Sequence, residues 1–451
     1  MKKNNSPWIY QLKRTVFFPV AHGDLCTDIT IVGGGIAGIA TAFFLLTTTD
    51  KKVTLIEANK IARGATGHNA GQVVSYFERS FADIVSEFGL EKAGEAQKSI
   101  EDSWMLLDQM YTVAGLSIPF SRFIGHAGLS SYDQVITHLK DTVCRQQARL
   151  PLETFRISEK APFLKDIPNE YSGLYEVVPH DKVRSLLESK DDSFNAVISY
   201  QKGCLNSALF CEEVALYLHN TYPDRFSVYE DTMVGKVVLK DTHALLDVGN
   251  ATIETDKVVL CTNGFDTLTI FNESGLDIDT RFHHDIKATI GYMSGYLEDM
   301  NKPPIAISYF TNPDASSEDP YFYFTRRPYE YSAGSTKNLI SIGGPEVSLE
   351  DKMAYSRDLL YPDSAQETID TFIKSVYELD PNKKIDYQFT WHGLMGYTPN
   401  LIRRIGFEPK NPVLMYNLGC NGVGILPSVF GGKRIADLVN GSTDSTIFDP
   451  Q

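Results

Sequence analysis

Two kinds of hydrophobic run alternate at the start of the ordered part of the chain. Asp28-Ile-Thr-Ile-Val32 is short, rich in β-branched residues and closed by glycine, the pattern of a strand buried on both faces. Ile36 to Leu46 stays apolar for the length of a helix, and Val53-Thr-Leu-Ile56 is a second strand ending on the carboxylate of Glu57. From Ser80 to about Thr112, Phe81, Ile84, Val85 and Phe88 recur at helical spacing and predict a helix with its aromatics in the core. Gly203 to Tyr217 reads as a short turn and a helix. Strands are predicted over 226–230, Met233 to Leu239, Ala244 to Val248 and Val258 to Thr262.

The later part is β-rich, with Lys287 to Tyr296, Ile305 to Phe310, Tyr321 to Thr325 and Leu339 to Gly343 as strands. Asn312 to Pro320 is a polar, exposed loop, and Asp363 to Leu379 a helix. Strands over Asp386 to Trp391 and Pro412 to Leu418 precede the glycine turn Gly419 to Gly424 and a final helix ending near Gly441. Residues 1–27, with Pro7 and Pro19, form an irregular lead on the surface, and 113–194 mix helices and short strands without a chemical motif. The expected fold class is α/β with two intertwined domains, as the 451-residue length suggests.

Within the first unit lies Gly33-x-Gly35-x-x-Gly38. Strand, glycines, helix, strand and acid together form the dinucleotide-binding βαβ fingerprint. Gly33 makes the tight turn, Gly35 lets backbone approach a pyrophosphate, and Gly38 lets helix and strand pack closely. The helix N-terminus, at Ile36 and Ala37, offers free N–H groups to that pyrophosphate. Glu57 is placed to accept ribose hydroxyls and to repel a 2′-phosphate, which disfavours NADP.

Composition narrows the field further. A formal charge of −15 opposes a nucleic-acid partner, because phosphate-backbone binding needs a basic face. Six scattered cysteines without a CxxC fit reduced thiols and a cytoplasmic location. No metal-ligand spacing occurs, and the adjacent His283-His284 reads as structural or solvent-facing. Ile29 to Leu46 carries no charge, yet its crowded glycines fit a strand and helix rather than a membrane span.

Three glycine-bearing turns follow strands, at 33–38, 64–71 and 419–424. A second loop and a second helix N-terminus, with Pro427 in its first turn, are more than a nicotinamide dinucleotide requires. A flavin far from its adenine does require them. With Gly64-Ala-Thr-Gly-His-Asn-Ala-Gly71, Val258-Val-Leu-Cys-Thr-Asn-Gly264 and Trp391-His-Gly-Leu-Met-Gly-Tyr-Thr-Pro399, the chain resembles the D-amino-acid oxidase and glycine oxidase superfamily of FAD enzymes. The resemblance covers roughly 28 to 441. Its amine-oxidising branch, which includes gamma-glutamylputrescine oxidoreductase, looks most similar.

That resemblance implies an FAD-binding Rossmann-like domain of the glutathione-reductase type, discontinuous over 28–112, 195–280 and 386–451. A second, α+β substrate domain on a mixed or antiparallel sheet would take 113–194 and 281–385. Besides Gly33, Gly35, Ile36, Ala37, Gly38 and Glu57, it implies cofactor contacts from Ala58, Arg63, Gly64, Ala65, Thr66, His68, Asn69, Ala70 and Gly71. Val234 would lie on the adenine side, Gly264 at a strand end, and Gly422, Val423, Gly424 and Ile425 at the flavin pyrimidine edge.

Tyr323, Arg326, His392, Met395 and Tyr397 are the substrate-pocket candidates, and no catalytic residue is assigned. Where glycine oxidases place a carboxylate-clamping arginine, this chain has Met395, and a second family arginine falls at Gly422. Both departures shift the expected substrate from α-amino acids toward amines. His68 matches a position where one branch bonds flavin covalently; the expectation here is non-covalent FAD, with attachment through His68 as the alternative.

The implied reaction oxidises the C–N bond of an amine or amino acid to an imine by hydride transfer to flavin N5, followed by hydrolysis. The electron acceptor and oligomeric state are not readable. Rival readings are an FAD module of tRNA wobble-uridine modification, which the acidic charge opposes, and a non-catalytic flavoprotein subunit, which the undegraded motifs oppose.

Overall fold

The computed structural model describes the chain except residues 1, 15–16, 266, 281–285, 312–320, 352–353, 378, 381, 383 and 451. The predicted loop over 312–320 and the pair His283-His284 therefore lie outside the described residues. Among the described residues the architecture is α/β, built on two mixed sheets of nine and ten strands.

The strand Leu25–Val32 lies inside the nine-stranded sheet. It pairs in parallel with Val53–Ile56 on one side and Thr252–Leu260 on the other, and Leu414–Leu418 runs parallel to the latter. Short uncharged side chains suit this position because helices cover the sheet. The helix Ile36–Thr48 is apolar all round, with Ile36 to Leu46 buried throughout. Burial, rather than a bilayer, accounts for its composition. The terminal helix Ile425–Val439 packs beside it in the main core. No helix among the described residues is long and apolar enough to cross a membrane.

The ten-stranded sheet runs from Phe389–Tyr397 through Lys287–Glu298, Ser335–Leu349, Phe322–Ser332, Ile305–Phe310, Phe120–Leu129 and Ala196–Leu205 to Thr154–Ser158 and Glu176–Val178. Its pairs are mostly antiparallel, and the helix Asp363–Val376 covers one face with Ile369, Phe372, Ile373 and Val376. Phe389–Tyr397 lies directly on loops of the first sheet. A Cβ at Gly393 would stand 2.6 Å from the His68 carbonyl oxygen, and one at Gly396 2.5 Å from that of Asn263. Only glycine allows backbone to approach backbone this closely.

Several boundaries differ from the sequence-based expectation. The helix from Ser80 is two helices, Phe81–Phe88 and Leu90–Ala114, separated by Gly89 at φ +84°. Gly203 belongs to the strand Ala196–Leu205 and not to a turn. Pairing over 233–239 starts only at Lys236, and the strand expected from Asp386 is Phe389–Tyr397. The N-terminal lead is not merely superficial. Pro7–Tyr10 forms one helical turn whose Trp8 is fully buried, edge-on to Trp391 at 6.3 Å. Its apolar spacing is too short to register as a periodic element, so tertiary packing decides its place.

Candidate functional site

The parallel strands Leu25–Val32, Val53–Ile56 and Thr252–Leu260 deliver their carboxyl ends to one place, where ligands of open α/β sheets bind. Gly33 turns there at φ +109°, its N–H donating to the Ile56 carbonyl at 2.8 Å. A Cβ on it would come within 2.8 Å of the Cys261 carbonyl oxygen, and one on Gly38 would overlap the Gly33 carbonyl oxygen. The helix from Ile36 starts at Gly35, which offers no capping side chain. Thr66 Oγ1 accepts the Ile36 N–H at 3.0 Å.

Glu57 closes the second strand. Its Oε2 accepts the Gly34 N–H at 2.7 Å and its Oε1 the Asn59 N–H at 2.9 Å. Burial raises its pKa, and the two backbone N–H groups oppose that rise. Each carboxylate oxygen retains a lone pair for a further donor.

The loop 64–71 is held from beneath. Asn69 Nδ2 donates to Thr66 O and Ser207 Oγ, and Asn69 Oδ1 accepts the Gly71 N–H at 2.8 Å. Two indole N–H groups, of Trp8 and Trp391, meet on the Asn69 carbonyl at 2.6 and 3.2 Å. His68 Nδ1 lies 2.9 Å from Gly64 O, and burial lowers its pKa to about 4. The ring is neutral near pH 7, and an Nδ1–H donating to that carbonyl leaves Nε2 as an acceptor.

A single cavity of about 1080 Å³ joins these parts to the second sheet. Gly33, Gly35, Ile36, Ala37, Glu57, Ala58, Gly64, Ala65, Thr66, His68, Asn69, Ala70 and Val234 line it. So do Gly422, Val423, Gly424, Ile425, Tyr323, Met395 and Tyr397.

Six candidates do not line it. Gly38 packs beneath the Gly33 turn, Gly71 under Trp8, and Gly264 against Ile286. Arg63 offers its carbonyl to Arg357 Nη1 at 2.8 Å. Arg326 is corrected as a substrate-pocket candidate: its guanidinium is buried, bidentate on Glu188 at 2.8 and 2.7 Å, with Nε on Pro303 O. His392 is likewise a buried strand residue, bonded to Leu359 O at 2.8 Å and Tyr355 Oη at 3.2 Å.

Sequence reasoning missed most of the cavity's far end. Tyr76, Glu78, Tyr321 and Glu346 line it beside Tyr323, Met395 and Tyr397. Glu78 Oε1 accepts from Tyr321 Oη at 2.9 Å, and the Tyr321 hydroxyl lies 3.4 Å from that of Tyr76. A Cβ on Gly422 would lie 2.9 Å from Glu78 Cγ and 3.2 Å from Tyr397 Oη, so Glu78 abuts the last glycine turn. Burial pushes the carboxyl groups of Glu78 and Glu346 each up to about 7. Two signals were available in the sequence: Tyr321 and Tyr323 are two positions apart in the expected strand, and Tyr76 to Glu78 come shortly after the second glycine loop.

The residues present fit a flavin dinucleotide. Backbone at Gly33 and Gly35 faces the cavity without side chains, and both long helices start with uncapped glycines, Gly35 and Gly424. The volume exceeds that of most drug-sized pockets, as a cofactor plus substrate requires.

Comparison with known proteins agrees. The model of the DAO family, described as FAD dependent oxidoreductase, matches residues 28–438. Over 76 residues the chain is 40% identical to the putative Rieske 2Fe-2S iron-sulfur protein YhfW of Bacillus subtilis, which is 17% of this chain and 15% of that protein. A similar stretch of 76 residues is 32% identical to gamma-glutamylputrescine oxidoreductase of Escherichia coli, 17% of this chain and 18% of the relative. Both matches thus span well under two thirds of the relatives' length. The crystal structure of glycine oxidase from Geobacillus kaustophilus superposes with a TM-score of 0.66 at 14% identity, over 94% of this chain and 98% of that one. It shares the fold.

Proposed function

Because the chain belongs to the DAO family of FAD-dependent oxidoreductases, we propose that it oxidises the C–N bond of an amine or amino acid to an imine, which water then hydrolyses. One observation carries this reading. The cavity that begins at the glycine cradle ends among tyrosines and carboxylates suited to hold a nitrogen-bearing substrate. Bound FAD would supply the acceptor for the hydride, and with it the two electrons, that leaves the carbon next to nitrogen.

The chain's own groups bind, orient and exclude water. Glu57 and the 64–71 loop hold the dinucleotide, the N-terminus of Ile425–Val439 places positive potential at the ring end, and Val234 covers the adenine side. Tyr323, Met395 and Tyr397 wall the substrate end, while the Glu78 carboxylate holds charge there. FAD is held non-covalently, with His68 Nε2 serving as an acceptor and not as a bond. The substrate domain comprises 113–194 and 281–385, the remainder after residue 27 forms the FAD domain, and the location is cytoplasmic.

The names of gamma-glutamylputrescine oxidoreductase and glycine oxidase, an amine derivative's enzyme and an amino acid's, support this substrate range. Purified protein should be yellow, and under anaerobic conditions one member of a panel of amines and amino acids should bleach the flavin. A yellow protein bleached by no member of the panel would overturn the reading. Flavin that stays with the acid-denatured polypeptide, and leaves it in His68→Ala, would overturn non-covalent attachment.

A further inference from the structure

The tyrosine-lined end of the cavity holds two buried carboxyl groups, Glu78 and Glu346, with few hydrogen-bond partners in the protein. Glu78 stands in the wall there. Its Oε1 is held by Tyr321 Oη at 2.9 Å, and its Oε2 has no protein partner among the described residues. Lys202 is the described cation that acts on Glu78. It is itself fully buried, with Nζ on Ser308 Oγ at 3.0 Å and 5.0 Å from the Tyr200 ring centroid, and burial holds its pKa down to about 7. Glu346, on the strand position opposite Gly291, has Glu78 and no described cation acting on it.

None of the cavity's basic residues is among the charges that act on Glu78 or Glu346. Arg403 spends its guanidinium on Asn417 and Gly419, Arg357 donates to the Arg63 carbonyl near the cradle, and Lys287 is exposed. An α-amino acid brought to Glu78 would set its own carboxylate beside two others, where no cation lining the cavity acts to receive it. A cationic amine meets the Glu78 carboxylate among Tyr76, Tyr321, Tyr323 and Tyr397, surroundings that suit an ammonium group.

Resting on the C–N oxidation proposed above, we infer that the substrate is a cationic amine without an α-carboxylate, its ammonium anchored on the Glu78 carboxylate with Glu346 as a second, weaker attraction. The anchor also orients the substrate, because Glu78 abuts the Gly422 turn, where the ring end of the cofactor is expected. Once held, the ammonium must lose a proton before its carbon gives up a hydride. Glu78 Oε2 is the atom positioned to receive that proton.

The test uses FAD-loaded protein and two probes that differ only in the carboxylate, pentylamine and norleucine. Anaerobic calorimetric titration gives the dissociation constants, and flavin absorbance is followed in parallel. Pentylamine should bind at least roughly 10-fold more tightly than norleucine, and Glu78→Gln should weaken pentylamine by roughly 10–100-fold while flavin content stays unchanged. Glu346→Gln should weaken it by a few-fold. Should Glu78→Gln fail to retain flavin, Tyr321→Phe, which removes the hydroxyl that favours the ionised form of Glu78, should still weaken pentylamine by about 5-fold.

Equal or tighter binding of norleucine would overturn the inference, as would pentylamine binding that neither variant alters. If norleucine bleaches the flavin, C–N oxidation stands and the cationic-amine inference falls. If pentylamine binds through Glu78 and no amine bleaches the flavin, the anchor stands and C–N oxidation falls.

Discussion

The two ends of the cavity are built on opposite principles. At the cradle, specificity comes from what is missing: side chains at Gly33, Gly35 and Gly38, of which Gly35, the N-cap of Ile36–Thr48, brings no capping side chain of its own. The protein there presents backbone, whose N–H groups and dipoles are fixed by a buried parallel sheet. At the far end specificity comes from what is present, namely Tyr76, Glu78, Tyr321, Tyr323, Glu346 and Tyr397, projected from four separate stretches of chain. At the cradle Arg357 offsets the charge of Glu57, whose carboxylate already accepts two backbone N–H groups. The far end keeps carboxylates that lack such compensation. Backbone recognition suits a cofactor common to a whole family, whereas side-chain recognition can change without disturbing the fold.

Breaking the cradle should cost most. Gly38→Val forces a branched side chain against the Gly33 carbonyl and the Ile31 side chain, where no flexible neighbour can yield. A loss of more than about 3 kcal/mol is expected, with colourless or insoluble protein. Flavin content and thermal melting check this. A yellow, normally stable Gly38→Val protein would show that the helix can move away from the strand, and that the cradle is not rigid.

Glu57→Gln is subtler. The amide must turn its –NH₂ toward either the Gly34 or the Asn59 N–H, replacing an accepted hydrogen bond with two facing donors. A cost of about 1–3 kcal/mol should appear as weaker FAD retention on gel filtration. Retention equal to the wild type would mean that Glu57 only shapes the turn.

These contrasts also explain what could be read before the fold was known. The βαβ unit is local: strand, turn, helix and acid fall within thirty residues, and each carries its own periodicity or glycine. The cofactor candidates from Gly33 to Ala70, apart from Gly38 and Arg63, consequently meet around one cavity. Arg326 and His392 misled because the residues that neutralise them, Glu188 and Leu359, lie on other segments, and no spacing rule connects them. Glu78 and Tyr321 were overlooked for the same reason in reverse, since 243 positions separate two groups that share a hydrogen bond. The N-terminal Trp8 is a third case. A four-residue helical turn has no stability of its own and is fixed by Trp391 and the Asn69 carbonyl.

Thr66→Val tests whether the second loop helps to hold the cradle. Valine preserves the shape but removes the oxygen that accepts the Ile36 N–H. The helix start then has one more unsatisfied donor, at about 1 kcal/mol. A modest fall in melting temperature that is recovered by saturating FAD is expected. A fall that FAD does not recover would place the role of Thr66 in the loop and not at the helix.

The smallest effect separates the two ends by pH. Burial raises the Glu78 carboxyl from its ordinary 4.5 to about 7, so the folded protein prefers the protonated form. The resulting stabilisation is complete below about pH 4.5 and is lost as pH rises through 7. Lys202, held down to about 7 from 10.5, acts in a different window: its contribution is present above 10.5 and lost as pH falls toward 7. Between 4.5 and 7 the carboxyls therefore dominate, with Glu346 in the same sense as Glu78.

Wild type should lose stability relative to Glu78→Gln as pH rises from 5 to 7.5, and pentylamine should shrink that difference by pairing with the ionised carboxylate. The Tyr76, Tyr321, Tyr323 and Tyr397 hydroxyls, all raised above their ordinary value by burial, stay protonated throughout and add no slope. Parallel melting curves for wild type and variant across this range would mean that Glu78 is already compensated. The contrast between a neutral cradle and a charged far end would then fail at the residue on which it chiefly depends.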